Sequence, residues 1–277
     1  TPSMKKTSAK LLPQRMHSDL KNPEYVSWRQ FLQQADAWSV EEIEQYQHGE
    51  VRRVLQHAYT HTIGYRRLFE EYGLQPQDLD EIGDLTRFPF VTKELIQDHL
   101  HEFSTTDTDG SYITTGGSTG IPFGFYRNQI AFSRELASKA HQYARVGWQE
   151  GDRQLVFRGL PLSSPNRIEY VDDFEELRCS SYHLLEEQMR SYYEAALRYR
   201  PDWIRCYPST GTVFADFLIA NDLRLEEVKG VLCASENLYE WQKARLQKAF
   251  GGRVFSHYGH YELAVLAGFC EYEDTYH

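Results

Sequence analysis

The spacing of apolar residues changes character near residue 105. Before it, apolar positions recur every three to four residues, the period of helices with one buried stripe. Ser39 and Glu42 have the spacing of a capping box. The helix they open carries Ile43, Val51, Val54, Leu55 and Ala58 on one face, and the helical pattern runs on through "TIGYRRLFEEYG" until Gly73 stops it. Thr92 stands as an N-cap ahead of Lys93. After residue 105 short apolar runs alternate with helical stretches. From "SSYHL" onward the pattern predicts a helix over Glu186–Tyr199, a stop at Pro201 and a strand in "WIRCYP". A helix over 210–220, a strand in "VKGVLCAS", a helix over 239–250, the pair Gly251-Gly252 and a strand in "RVFSHYG" follow. This is repeated βαβ, so the expected fold is α/β, a mostly parallel sheet flanked by helices and preceded by a helical N-terminal segment. The expected division is 1–104 and 105–277. Such sheets take ligands beyond the carboxyl ends of their strands, and three loops are expected there: "TTGGSTG", "ASENL" and "YGHYE".

Composition narrows the class of ligand. The chain has 277 residues, 41% of them apolar, enough for a large core without covalent staples. Its net charge of −10 opposes sequence-independent binding to nucleic acid or to an anionic membrane surface, so a small-molecule ligand is expected. The four cysteines, Cys179, Cys206, Cys233 and Cys270, form no C-x-x-C, which fits a reducing, cytoplasmic setting. No apolar run reaches the length of a signal peptide or a membrane span.

Two stretches carry candidate chemistry. "SYITTGGSTGIPFGFY", residues 111–126, sets Gly116, Gly117 and Gly120 among Thr114, Thr115, Ser118 and Thr119. Glycines allow close backbone approach, and consecutive amides and hydroxyls form a donor set for an anion. A flexible connector has the same composition. No lysine follows Gly120, which disfavours a Walker-type phosphate loop. In "SHYGHYELA", Tyr258 offers a ring for a base and Glu262 a carboxylate for Mg²⁺; an acidic first turn of a helix reads the same way.

These pieces, with "VRRVLQHAYTHTIGYRRLFEEYG", "FPFVTKELI", "FRG", "SSYHL", "CYPST", "ASENLYEWQKARLQKAFG" and "GFCEYEDTYH" in order, resemble the phenylacetate-coenzyme A ligase-like family of adenylate-forming enzymes, in particular its capsular polysaccharide biosynthesis branch. The resemblance implies the large lobe of an ATP-dependent ligase that converts a carboxylic acid into an acyl-adenylate and passes it to CoA or to another thiol or amine. It implies that Thr114, Thr115, Gly116, Gly117, Ser118, Thr119 and Gly120 wrap the ATP phosphates, with Thr115 and Glu262 as catalytic residues. Ala234, Ser235 and Glu236 border the adenine, Tyr258, Gly259, His260 and Tyr261 complete the nucleotide site, and Glu262 faces Mg²⁺. Tyr261 stands where most of the superfamily has a small hydroxyl residue. A homodimer is a family-level expectation. The family continues with a ribose-binding aspartate, a hinge and a small mobile domain carrying a catalytic lysine, which the chain is expected to lack. The competing reading is therefore a catalytically incomplete lobe that binds nucleotide or serves as a scaffold.

Other residues have plainer readings. His57 and His61 lack the glutamate of a zinc-protease helix and are assigned no role. Cys270 and His277 read as a buried cysteine and a polar terminus, with half of a zinc site completed by further sequence as the alternative. Arg158 and Arg167 flank "GLPLSSPN", a loop expected to line the acyl pocket, where guanidinium groups would favour a polar or anionic acid, with solvated arginines as the default reading.

Overall fold

The computed structural model describes residues 22–105, 110–115, 122–159, 162, 164, 167–273 and 275–277. The described residues up to Arg29 together with Ser133–His277 form one compact unit, and Gln30–Phe132 form a second. The change of period at residue 105 thus falls inside the second unit.

The second unit is helical with one β-ribbon. Helix α1 (Pro23–Ala35) precedes α2 (Val40–His61), α3 (Ile63–Glu71), α4 (Lys93–Asp98) and α5 (Leu100–Phe103). The capping box of α2 forms as expected, with the Ser39 hydroxyl accepting from the Glu42 amide at 3.2 Å and the Glu42 carboxylate from the Ser39 amide at 2.8 Å. The helical pattern breaks at Thr62, whose extended backbone separates α2 from α3 and whose hydroxyl caps the latter. Gly73 ends the run with φ +66°, a conformation that favours glycine. Only part of the expected stripe is buried. Val51 and Leu55 pack against Phe69, Leu74, Leu79 and Phe88, whereas Ile43 and Val54 stay exposed. Thr92 caps α4, and Lys93 stands over the Phe123 ring.

Strands β1 (Ser111–Thr114) and β2 (Gly124–Arg127) pair antiparallel in this unit. The glycine-rich segment therefore joins the strands of a separate ribbon, and the expectation that it leaves the parallel sheet is corrected. Its cause is local: Tyr112, Tyr126 and Phe125 alternate as in a two-stranded ribbon, and a Cβ at Gly124 would overlap the Tyr112 hydroxyl.

In the first unit α6 (Gln129–Ala144) leads into β3 (Gln154–Arg158), β4 (Ile168–Val171), β5 (Glu176–Ser180), α7 (Glu186–Tyr199), β6 (Trp203–Cys206), α8 (Pro208–Ala220), β7 (Gly230–Ala234), α9 (Glu240–Phe250), β8 (Arg253–Gly259) and β9 (Leu266–Gly268). The seven strands lie in the order β4-β5-β3-β6-β7-β8-β9. The inner five are parallel, and the edges β4 and β9 are antiparallel. Successive side chains alternate between faces. One face presents Leu155, Phe157, Leu177, Cys179, Ile204, Cys206, Val231 and Cys233 to α7, α8 and α9, with Tyr192, Phe214 and Leu246 fully buried between. The other carries Trp203, Leu232 and Phe255 under Tyr143 of α6, and on β3, β5 and β6 the polar Gln154, Arg158, Glu176, Arg178 and Arg205.

Phe214 is fully buried, with its ring 5.0 Å from that of Phe157 and further rings at Phe217 and Phe250. Phe214→Ala is expected to cost about 3–5 kcal/mol, the range for deleting a buried aromatic ring. Urea denaturation checks this, through a lower midpoint with unchanged slope.

Candidate active site at the carboxyl edge of the sheet

Chain order places the natural crevice. From β3 the chain goes to β4 and β5 on one side, and from β6 it goes to β7 on the other, so the connections diverge between the neighbours β3 and β6. In open α/β sheets ligands bind outside the carboxyl ends at such a switch point. There Gly159 follows β3, and its carbonyl accepts from the Tyr182 hydroxyl at 2.7 Å. A Cβ on Gly159 would lie 3.0 Å from that hydroxyl and 3.4 Å from that of Tyr207, which follows β6.

Two of the expected motifs are brought together at this edge. Ala234 ends β7 directly opposite His257 of β8, so "ASE" and "YGHYE" leave neighbouring parallel strands side by side. Ser235 has φ +68°, a left-handed conformation costing about 1 kcal/mol for a residue with a Cβ. Immediately after it, Glu236 accepts from the Ser209 amide (2.9 Å) and hydroxyl (2.8 Å). Its carboxylate thus caps the first turn of α8, where the helix dipole favours negative charge. Tyr258 and Tyr261 are exposed. Glu262 sets one carboxylate oxygen 3.3 Å from His260 Nδ1. No group of three or more His, Cys, Asp or Glu among the described residues could hold a metal ion.

In the ribbon Thr114 is the register partner of Gly124. Thr115 closes the neck of the glycine-rich segment: its amide donates to the Phe123 carbonyl at 2.9 Å, and its hydroxyl accepts the Phe123 amide at 3.1 Å. Gly116, Gly117, Ser118, Thr119 and Gly120 lie outside the described residues. His57 and His61 stack on each other on α2. Cys270 is buried, and its sulfur accepts the Tyr272 amide at 3.4 Å.

The sheet face under α6 holds a charge cluster that sequence reading missed. Glu176 is almost fully buried. It accepts from Arg178 at 2.6 Å and from Arg205, which reaches across β3 and also contacts Gln154 at 3.3 Å. Burial alone would raise the Glu176 carboxyl, but the charges of Arg205 and Arg178 outweigh it and hold the group below the usual carboxylate range. On α6, Glu135, Lys139 and Tyr143 recur every fourth residue. Lys139 pairs with Glu135 at 3.3 Å, and the Tyr143 hydroxyl is 3.0 Å from His257 Nδ1. His257 is pushed down to about 3, first by burial and then by the charges of Lys139 and Arg205, and is neutral at physiological pH. The available signal was an arginine between apolar neighbours in "WIRC", "ELRC" and "QLVFR", an odd residue for a strand buried on both faces.

Comparisons with known proteins agree with this fold. No protein-family model matches the chain. It is 27% identical over 193 residues to phenylacetate-coenzyme A ligase of Pseudomonas putida, covering 68% of this chain and 43% of that protein. It is 22% identical over 190 residues to protein CapK of Staphylococcus aureus, covering 66% and 42%. Among solved structures, 2-hydroxyisobutyryl-CoA ligase in complex with 2-HIB-AMP and CoA superposes with a TM-score of 0.69 at 18% identity, over 85% of this chain and 53% of that one. The fold is therefore that of the α/β lobe of CoA ligases of the adenylate-forming class, of which the chain covers a part. Within that class its similarity runs to the phenylacetate-CoA ligase-like proteins and to the CapK branch. The chain spans less than half the length of these curated relatives.

Two measurements test this geometry. As pH falls below about 6.5 the unfolded chain binds a proton at His257 that the native chain refuses, so stability is lost toward acid from that pH downward. Urea midpoints between pH 5 and 8 are expected to fall with pH, and His257→Gln to flatten the slope. Ser235→Gly is expected to raise stability by up to about 1 kcal/mol by relieving the left-handed backbone, read as a higher urea midpoint.

Proposed function

We propose that this chain is the nucleotide- and acid-binding lobe of an ATP-dependent ligase that adenylates a carboxylic acid and transfers the acyl group to CoA or to another thiol or amine. The observation that carries the reading is the pairing of Ala234 with His257, which sends two of the motifs expected of the family off one edge of the sheet, the first through a backbone strained at Ser235. Similarity to phenylacetate-coenzyme A ligase and CapK supports it and favours a role in capsular polysaccharide biosynthesis. No helix among the described residues is long and apolar enough to cross a membrane, and a cytoplasmic enzyme is proposed. A homodimer belongs to the same reading.

In this proposal Thr114, Thr115, Gly116, Gly117, Ser118, Thr119 and Gly120 hold the ATP phosphates. Ala234, Ser235 and Glu236 border the adenine, and Tyr258, Gly259, His260 and Tyr261 complete the nucleotide site. Glu262 would hold Mg²⁺, which when bound offsets polyphosphate charge. No protein nucleophile is needed. The acid's carboxylate attacks the α-phosphorus and pyrophosphate departs, so the chain's task is to align the reactants and to stabilise developing charge.

AMP and MgATP are each expected to raise the melting temperature, because a ligand bound only by the native state stabilises it, by about 2.7 kcal/mol at a hundredfold excess over Kd. Glu262→Gln should weaken MgATP binding at least fivefold more than AMP binding in isothermal titration. Equal losses for the two nucleotides would remove Glu262 from the metal site, and no thermal shift with either would refute nucleotide binding. Binding without ATP–pyrophosphate exchange is the result expected of a lobe that holds nucleotide and does not turn over.

A further inference from the structure

The charge cluster under α6 is out of balance. It comprises four cations, Lys139, Arg158, Arg178 and Arg205, and two carboxylates, Glu135 and Glu176. Glu135 serves Lys139, and Glu176 is shared by Arg178 and Arg205. His257 is neutral and Tyr143 stays protonated, so neither adds negative charge. Arg158 forms no ion pair among the described residues. The loop that follows it, "GLPLSSPNR", has no acidic residue and ends in another arginine. Uncompensated charge enclosed by protein is costly and calls for a partner.

These cations are partly covered by protein rather than fully in water. Burial lowers the affinity of Lys139 and of Arg158 for protons, and each feels the charge of Arg205. Yet 34% of the Lys139 side chain and 28% of that of Arg205 remain accessible. Groups partly enclosed yet reachable are open to a ligand. Position supports this. Arg158 ends β3 and Arg205 pairs with Val156 on the neighbouring β6, so both lie on the α6 side of the sheet, two register steps apart at the switch point. Trp203, Leu232, Phe255 and Tyr143 form an apolar cluster beside Arg205 and below Arg158 on the same face. Above them lie Gly159 with the Tyr182 and Tyr207 hydroxyls, and Gly259, where a Cβ would come 4.0 Å from Glu135 Oε1.

We propose that Arg158, with Lys139 and Arg205, binds the distal carboxylate of a dicarboxylic acid, making such an acid the substrate class of this lobe. The inference rests on the ligase reading and adds the nature of the acid. A guanidinium fork matches the planar carboxylate, and the depth of the cluster below the strand ends suits the far end of a substrate whose reacting end must meet nucleotide at the loops. Arg158 is a specificity residue here, since it touches the part of the acid that does not react.

The test is isothermal titration of this chain with glutarate and with monomethyl glutarate, repeated with succinate and adipate and their monomethyl esters. For at least one length the diacid is expected to bind tenfold or more tightly than its ester. Arg158→Gln should bring the two within about twofold, and Arg158→Lys should keep part of the preference. Lys139→Gln serves as the second variant should Arg158→Gln not fold, with the same loss of preference expected. Equal affinities for every diacid and ester pair, no binding of any diacid, or an unchanged preference in the variants would each overturn the proposal. Displacement of the diacid by inorganic phosphate at equal concentration would also overturn it, marking a general anion site. The AMP-induced thermal shift is read on the same samples. Its absence alongside an intact diacid preference would sink the ligase reading and leave the pocket standing, whereas its presence without the preference would do the reverse.

Discussion

Glu176 is the carboxylate on which the polar half of the sheet depends. It begins β5, yet Arg205, which it binds, belongs to β6, and β3 lies between them. One buried anion therefore ties three parallel strands across the point where the chain reverses its direction of winding. Deleting one partner of such a group leaves a buried charge exposed to nothing that can solvate it, a loss of about 3–5 kcal/mol. The apolar face needs no such device, because Leu155, Ile204 and Val231 fill space without regard to partner. The two faces thus do different work: one supplies cohesion and the other fixes which charged groups stand at the carboxyl edge.

The same edge is shaped by a local conflict. Ser235 occupies backbone space that suits glycine, and Glu236 then caps a helix through Ser209, 27 positions earlier in the chain. The cap recovers part of what the strain costs, since a carboxylate at a helix N-terminus is favoured by the dipole and by amides without partners there. Such a turn holds its shape only while β7 and α8 are both in place, so the geometry of the loop reports on the packing beneath it.

What could be read in advance followed from local punctuation. Ser39 and Glu42, Gly73, Thr92, Pro201 and Gly251 each act on the neighbouring residues alone, and the helices and strands from Glu186 onward fall within a few residues of their expected bounds. Thr62 was harder, because a residue that only pauses a helical pattern keeps the same period on both sides. The apolar stripe of α2 was overread, since periodicity shows that a face is apolar without showing that anything covers Ile43 or Val54. The glycine-rich segment looked like a loop of the main sheet because nothing in its composition distinguishes a ribbon from a parallel strand. The charge cluster was out of reach for a different reason. Its members lie on β3, β5, β6, β8 and α6, and the order β5-β3-β6 that unites them is not the order of the chain. Of the candidate site, adjacency of "ASE" and "YGHYE" was legible once the βαβ repeat was seen, while the cluster of charges around Arg158 required the topology.

The sulfur chemistry of the apolar face has a consequence of its own. Cys179, Cys206 and Cys233 end or nearly end three of the parallel strands, all unoxidised and enclosed by α7, α8 and α9. Burial drives the Cys179 thiol far above its ordinary range, and Cys206, held chiefly by its contact with Cys233, is raised as well. The thiolate is the reactive form, so in the closed protein these sulfurs are nearly inert. Their alkylation must wait for the helices to lift from the sheet, which makes the rate of modification a clock for the breathing of the core that needs no engineered label.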